Sequence, residues 1–167
     1  MGILIDSDDF TGKYAISQGK FSTAELTAYI DQYERPILVD LLGKELFDLF
    51  EADLVNQVPQ TQRFIYIYAP FEIDDNSCIE ISEGMKVMLK GMVYFQYVRD
   101  QANVDSEHGP VTNNHENSVR TKGAARGMVQ RYNQSIKTYR AIRWFICEND
   151  DVYPEENSQF KDFVSLI

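Results

Sequence analysis

The apolar positions of the N-terminal half recur at steps of three and four residues, the pattern of helices that bury one face. Ser22 and Glu25 form a capping-box pattern, which predicts that a helix begins at Ser22. Pro36 is expected to kink or divide this helix, because proline removes one backbone hydrogen bond. Gly43 predicts its end, and a second short helix is expected to continue to about Asn56.

A run of β-forming residues follows, from Arg63 to Ile81. Pro70 and the turn-like residues 74–77 interrupt it. Short β-forming runs on either side of a turn predict a small two-stranded hairpin over about residues 63–81.

A third helix is predicted from Ser82 to about Val104, and its apolar residues occupy nearly every angle around the axis. A helix that is apolar all round is buried on every side. We therefore expect either the central helix of the domain or a helix with one face covered by a second subunit, and both can hold.

The segment 102–117 lacks periodicity and is predicted to be a long loop, a type of loop that is usually functional or disordered. A fourth helix is expected from about Ser118 to Asn149. Together these elements predict a mostly α fold, a four-helix bundle-like domain over residues 22–149 with a small β-hairpin insertion. Extended arms are expected at the N-terminus, residues 1–21, and at the C-terminus, residues 150–167.

Composition is consistent with one globular domain, because 44% of the 167 residues are apolar and 25% are charged. No apolar run is long enough to span a membrane, and the first residues lack the pattern of a secretory signal. The chain is therefore expected to fold in a cytoplasm. Cys78 and Cys147 have no zinc-ligand spacing and are expected to be reduced thiols.

The net charge of −10 disfavours nonspecific binding to nucleic acid, because phosphates would be repelled. Residues 118–147 depart from this balance, with seven basic residues and no acidic residue, whereas the chain on either side is acidic overall. The like charges repel one another unless acids from elsewhere neutralise them. An acidic surface of the same chain or of a neighbouring copy is the simplest partner.

The fourth helix is predicted to have two opposite faces. The core face is expected to contain Met128, Tyr132, Ile136, Tyr139, Ile142 and Ile146. The opposite face carries Lys122, Arg126, Lys137, Arg140 and Trp144. A tryptophan among basic residues on the outer face suggests a contact surface, and the simpler alternative is a solvated charged face.

No catalytic, cofactor-binding or metal-binding residues are predicted. His108 and His115 lie in the long loop without the spacing of metal ligands, and they are expected to be solvated. Glycine-rich nucleotide-binding motifs and the nucleophile motif G-x-S-x-G do not occur. Two alternatives to a structural role stay open. One is an acidic helical module whose basic helix docks a host or nucleic-acid partner, and the other is a small enzyme whose site the sequence conceals.

The order of sequence segments resembles a known family. An N-terminal helix ends in "LLGKELFDLF", and an aromatic hairpin leads into "GMKVMLKGMVYFQYVRDQ". The polar loop "GPVTNNHENS", the basic helix "RGMVQRYNQSIKTYRAIRWFI" and the sequence "YPE" follow. Over about residues 22–155 this order resembles the head-to-tail adaptor proteins (connector or neck ring) of tailed bacteriophages, in the version found in phages of Bacteroides-like hosts.

The resemblance implies a structural virion protein, assembled in the host cytoplasm as a homo-oligomeric ring, commonly a dodecamer. Such a ring lies below the portal protein, extends the DNA channel and provides a platform for the tail or further neck proteins. It implies no cofactor, no membrane and no specific binding of the DNA that passes through. The implied interface contains Lys122, Arg126, Lys137, Arg140 and Trp144, together with Tyr153 and Pro154 where the C-terminal arm begins.

Overall fold

The computed structural model describes residues 2–16, 23–74, 79–102, 104–106, 109–111 and 122–155. These residues form five α-helices: α1 (Thr23–Leu42), α2 (Lys44–Asp53), α3 (Gln62–Tyr68), α4 (Met85–Ala102) and α5 (Lys122–Glu148). They also form six short strands: β1 (Leu54–Val55), β2 (Val58–Pro59), β3 (Phe71–Asp74), β4 (Ile79–Ser82), β5 (Val104–Ser106) and β6 (Gly109–Val111). The strands form three antiparallel hairpins, in which β1 pairs with β2, β3 with β4 and β5 with β6. The prediction of a mostly helical fold is confirmed.

The first helix continues through its proline. α1 contains Pro36 in its interior, so the expected division of the helix was wrong. Pro36 is exposed, and the carbonyl that it leaves without a helical partner can therefore bind water. Ser22 lies outside the described residues, and so does the proposed capping box.

The aromatic run after Thr61 is helical, which corrects the expected strand over its first half. α3 places Phe64 and Ile67, three residues apart, in the core, and it leaves Tyr66 exposed. The ring of Phe64 packs edge-on against Phe50 at a centroid distance of 5.4 Å. A short apolar run fits a helix or a strand equally well, and here the tertiary packing decides. The predicted hairpin is therefore limited to β3 and β4, residues 71–82.

A further hairpin lies within the segment expected to be a loop. β5 and β6 pair from Val104 opposite Val111 to Ser106 opposite Gly109. Strands of three residues are too short to show a hydrophobic period, so the sequence pattern could not reveal them. His108 and His115 lie outside the described residues.

The third predicted helix is central, as expected. α4 contacts α1, α3, α5 and the turn at Gly12–Tyr14. From Met85 to Gln101, Arg99 is the one exposed residue. Packing within one chain therefore explains why α4 is apolar on all sides. That a second subunit covers one face of α4 stays a prediction.

Gly91 allows α4 and α5 to pack closely. A Cβ atom at Gly91 would lie 1.9 Å from the Oγ atom of Ser135 and 3.3 Å from the backbone oxygen of Arg131. At Gly127, on α5, the nearest atom would be 4.0 Å away. The two glycines therefore form a matched pair, one without room for a side chain and one with room.

We expect Gly91→Ala to lower the free energy of unfolding by about 1 to 2 kcal/mol, since overpacking exceeds the gain in helix propensity. Gly127→Ala should instead raise it by up to about 1 kcal/mol. Urea denaturation of the two variants measures both values. Equal stabilisation by both substitutions would show that α4 and α5 are not in close contact at Gly91.

The N-terminal segment is irregular, as expected, but its packing was not predicted. It contains two 3-10 turns, Ser7–Asp9 and Gly12–Tyr14. Leu4 and Ile5 are fully buried. The carboxylate of Glu34, itself buried in α1, accepts three hydrogen bonds from the backbone of residues 3–5. This segment is therefore part of the core, and hydrogen bonds to Glu34 hold it against α1.

Candidate contact surface

The solvent face of α5 carries the predicted basic residues. Arg126, Lys137 and Arg140 are exposed, and Trp144 is 36% exposed. Their spacing places them within an arc of about 60° and along about 27 Å of the helix axis. We refer to these four residues as the basic stripe. The side chain of Lys122, the first residue of α5, lies outside the described residues.

The opposite face of α5 packs into the core, as predicted. Ile142 and Ile146 are buried, and Met128, Tyr132, Ile136 and Tyr139 are partly buried. Three small residues of α5, Ser135, Thr138 and Ala141, are also buried. The sequence pattern missed them because small and polar residues do not contribute to an apolar stripe.

The basic residues of α5 divide into two groups. On the flanks, Arg131 donates a hydrogen bond to the hydroxyl of Tyr94 at 3.2 Å, and Arg143 donates one to the backbone oxygen of Asp40 at 3.0 Å. Tyr139 donates to the carboxylate of Asp40 at 2.8 Å, and burial together with this bond raises the pKa of Tyr139 well above its usual value. Within the described ranges, the three cations of the basic stripe have no acidic partner.

Tyr153 is a core residue, which corrects its assignment to a contact surface. It is 1% exposed, and its hydroxyl donates a hydrogen bond to the backbone oxygen of Arg63 at 2.6 Å. The chain turns back after α5 because the carbonyl of Asn149 accepts the N–H groups of Val152 and Tyr153, both at 3.0 Å. Pro154, the next residue, is exposed.

The buried hydroxyl of Tyr153 predicts a loss of stability at alkaline pH. Burial raises the pKa of Tyr153 to about 12 from its usual value of about 10. Between these values the folded protein keeps a proton that the unfolded chain has lost, so the free energy of unfolding falls as the pH rises. The full contribution, about 2 to 3 kcal/mol, is present below about pH 10 and is lost through about pH 12.

Tyr153→Phe isolates this contribution. At about pH 8 we expect the variant to be less stable by about 1 kcal/mol, because one hydrogen bond is lost. Urea denaturation at rising pH should show this difference shrinking from about pH 10 upward and changing sign near about pH 11, because only the wild type titrates at this position. A difference that stays constant to about pH 11.5 would show that Tyr153 is not buried in the folded protein.

A second surface, on the β3–β4 hairpin, was not predicted. The register places Glu72 opposite Ile81, and Asp74 opposite Ile79, so that these four side chains share one face. All four are exposed, with Ile79 and Ile81 exposed by 57% and 51%. We refer to them as the hairpin face. Two adjacent isoleucines beside two carboxylates form an acidic and apolar surface.

A cleft of about 500 Å³ adjoins the hairpin face at Ile81. Pro70 and Val87 provide further apolar walls. Lys13 and Lys90 also line the cleft, and their ammonium groups lie 5.2 and 5.8 Å from the ring centroid of Tyr14. Apolar walls together with cations that already face an aromatic ring suit an aromatic occupant.

Neither a scan of protein-family models nor searches of curated proteins and solved structures find a match to this chain. Within the described ranges, no group of three or more His, Cys, Asp or Glu side chains could hold a metal ion. None of the helices described is both long enough and apolar enough to cross a bilayer. A function is therefore inferred from the chain itself, and the basic stripe and the hairpin face are its candidate surfaces.

Proposed function

We propose that this chain is a structural subunit of the head-to-tail connector of a tailed bacteriophage. It assembles with copies of itself as a ring below the portal, extends the DNA channel and provides a platform for the tail. The order of helices and hairpin that resembles the adaptor family supports this proposal. The observation that carries it is the basic stripe, whose three cations lack acidic partners within the described chain.

Self-assembly resolves the electrostatic problem of this helix. Three like charges along one face repel one another, and an acidic surface on a neighbouring copy would neutralise them. A contact between two different patches generates a closed ring when the rotation between copies closes. A subunit of net charge −10 also suits a channel wall to which phosphates should not adhere.

Sedimentation velocity of the purified protein tests this proposal, alone and with portal protein added. We expect particles many times heavier than the 19.3 kDa chain, formed alone or on the portal. Raised salt should weaken the assembly, because exposed charge pairs are screened. A chain that stays monomeric and ignores the portal would contradict the proposal.

A nucleic-acid partner is the second candidate, because three exposed cations in line with Trp144 could contact phosphates and stack on a base. Fluorescence anisotropy with labelled DNA distinguishes the two roles. A monomer whose DNA affinity falls steeply with salt, and is abolished by Arg126→Glu with Arg140→Glu, would favour nucleic acid. The connector role predicts no such affinity at moderate salt.

A further inference from the structure

The basic stripe and the hairpin face point in different directions on one chain. The inner face of the hairpin packs on α5, where Phe71 contacts Phe145 at a ring-centroid distance of 5.2 Å. Beside it, the backbone N–H of Glu83 donates to the hydroxyl of Thr138 on α5 at 3.1 Å. The hairpin face is therefore turned away from α5 of its own chain. The basic stripe can therefore contact only the hairpin face of another copy.

The two surfaces match in the order of their chemistry. Along α5 the order is Trp144, Arg140, Lys137, with successive residues about 5 to 6 Å apart. From the cleft along the hairpin, the order is a pocket with apolar walls and two lysines, then Glu72, then Asp74. The two acids are about 7 Å apart, because they are two residues apart on a strand. Long basic side chains readily span the difference of 1 to 2 Å.

We infer that the basic stripe of one copy docks on the hairpin face of the next, with Trp144 in the cleft, Arg140 at Glu72 and Lys137 at Asp74. This inference rests on the proposed self-assembly and names the two surfaces that carry it. The occupant is a second copy because the partner surface has the complementary charge and lies on the same chain, turned outward.

Affinity and register come from different parts of this contact. The indole of Trp144 would leave water and pack against Pro70, Ile81 and Val87, and buried aromatic anchors dominate binding energy at interfaces. Lys13 and Lys90 would lie beside the indole and favour its ring face. The ion pairs at the rim contribute less affinity but set the register and exclude the reversed orientation.

Charge reversal on each surface tests the contact. Arg140→Glu and Glu72→Arg should each raise the concentration needed for half-assembly by about 10- to 100-fold, because like charges then meet at every contact. A 1:1 mixture of the two variants should assemble again with the variants alternating, because each contact then joins either the two reversed side chains or the two native ones. Lys44→Glu and Glu45→Arg make the same charge changes on the exposed part of α2 and are the matched controls.

The fluorescence of Trp144 provides a readout that needs no substitution, since Trp144 is the only tryptophan of the chain. Assembly should shift its emission to shorter wavelength and reduce its quenching by acrylamide, because the indole leaves water. Two results would overturn this contact and leave self-assembly standing. One is wild-type assembly without a change in the emission of Trp144, and the other is assembly of both charge-reversed variants at the wild-type concentration. A wild-type chain that never assembles would overturn both.

Discussion

Replacing Glu34 with alanine is expected to lower the free energy of unfolding by about 3 kcal/mol or more. Glu34 is 1% exposed, and its carboxylate accepts hydrogen bonds from the N–H groups of Ile3, Leu4 and Ile5 at 2.6, 2.6 and 2.9 Å. Without it, three backbone donors lose their partner beside a buried apolar segment. Urea denaturation measures the loss, and hydrogen exchange of the three amides shows where it occurs.

Glu34→Gln is the graded control for this prediction. The amide keeps one oxygen, which can still accept from Leu4 and Ile5, whereas its NH₂ group faces the N–H of Ile3. We expect an intermediate loss of about 1 to 3 kcal/mol and faster exchange at Ile3 than at Leu4. If the free energy of unfolding of Glu34→Ala lies within about 0.5 kcal/mol of the wild-type value, this carboxylate does not hold the N-terminal segment.

Reversing two charges of the basic stripe together, Arg126→Glu with Arg140→Glu, is expected to convert the assembled protein to monomers without unfolding it. Both side chains are exposed, so the free energy of unfolding of the monomer should change by no more than about 0.5 kcal/mol. Each contact between copies would instead bring like charges together where Arg140 meets Glu72, and two of the three positive charges of the stripe would be lost. Light scattering during gel filtration measures the mass, and circular dichroism measures the helical content.

Arg143→Glu is the control on the same helix. Arg143 is half-buried and donates to the backbone oxygen of Asp40, so its reversal should destabilise the monomer by about 1 to 3 kcal/mol. The two variants therefore separate a contact between copies from a contact within one chain. Loss of helical signal in the stripe variant would mean that its cations pair within their own chain.

Long periodic segments were predictable because many positions repeat the same signal. The central position of α4 and the core face of α5 followed from the sequence for this reason. The run Phe64–Ile67 was too short for its period to distinguish a helix from a strand. The anchoring role of Glu34 was invisible, because a glutamate in a helix ordinarily faces water and its partners are backbone groups 29 to 31 residues away.

The candidate surfaces were predictable to different degrees. The basic stripe followed from helical spacing alone, because every member lies on one element. The hairpin face required the pairing of β3 with β4, and a shift of one residue would have turned Glu72 and Ile81 inward. Tyr153 was misassigned because its burial depends on a turn that folds the chain back toward Arg63, which no local pattern encodes.

Electron microscopy of the purified wild-type protein, alone and with portal protein, tests the central claim most directly. Head-to-tail contact between the stripe of one copy and the acidic surface of the next predicts closed rings with an open central channel. The map should place α5 of each subunit against its neighbour. Monomers under both conditions, or particles in which α5 faces water, would contradict the account.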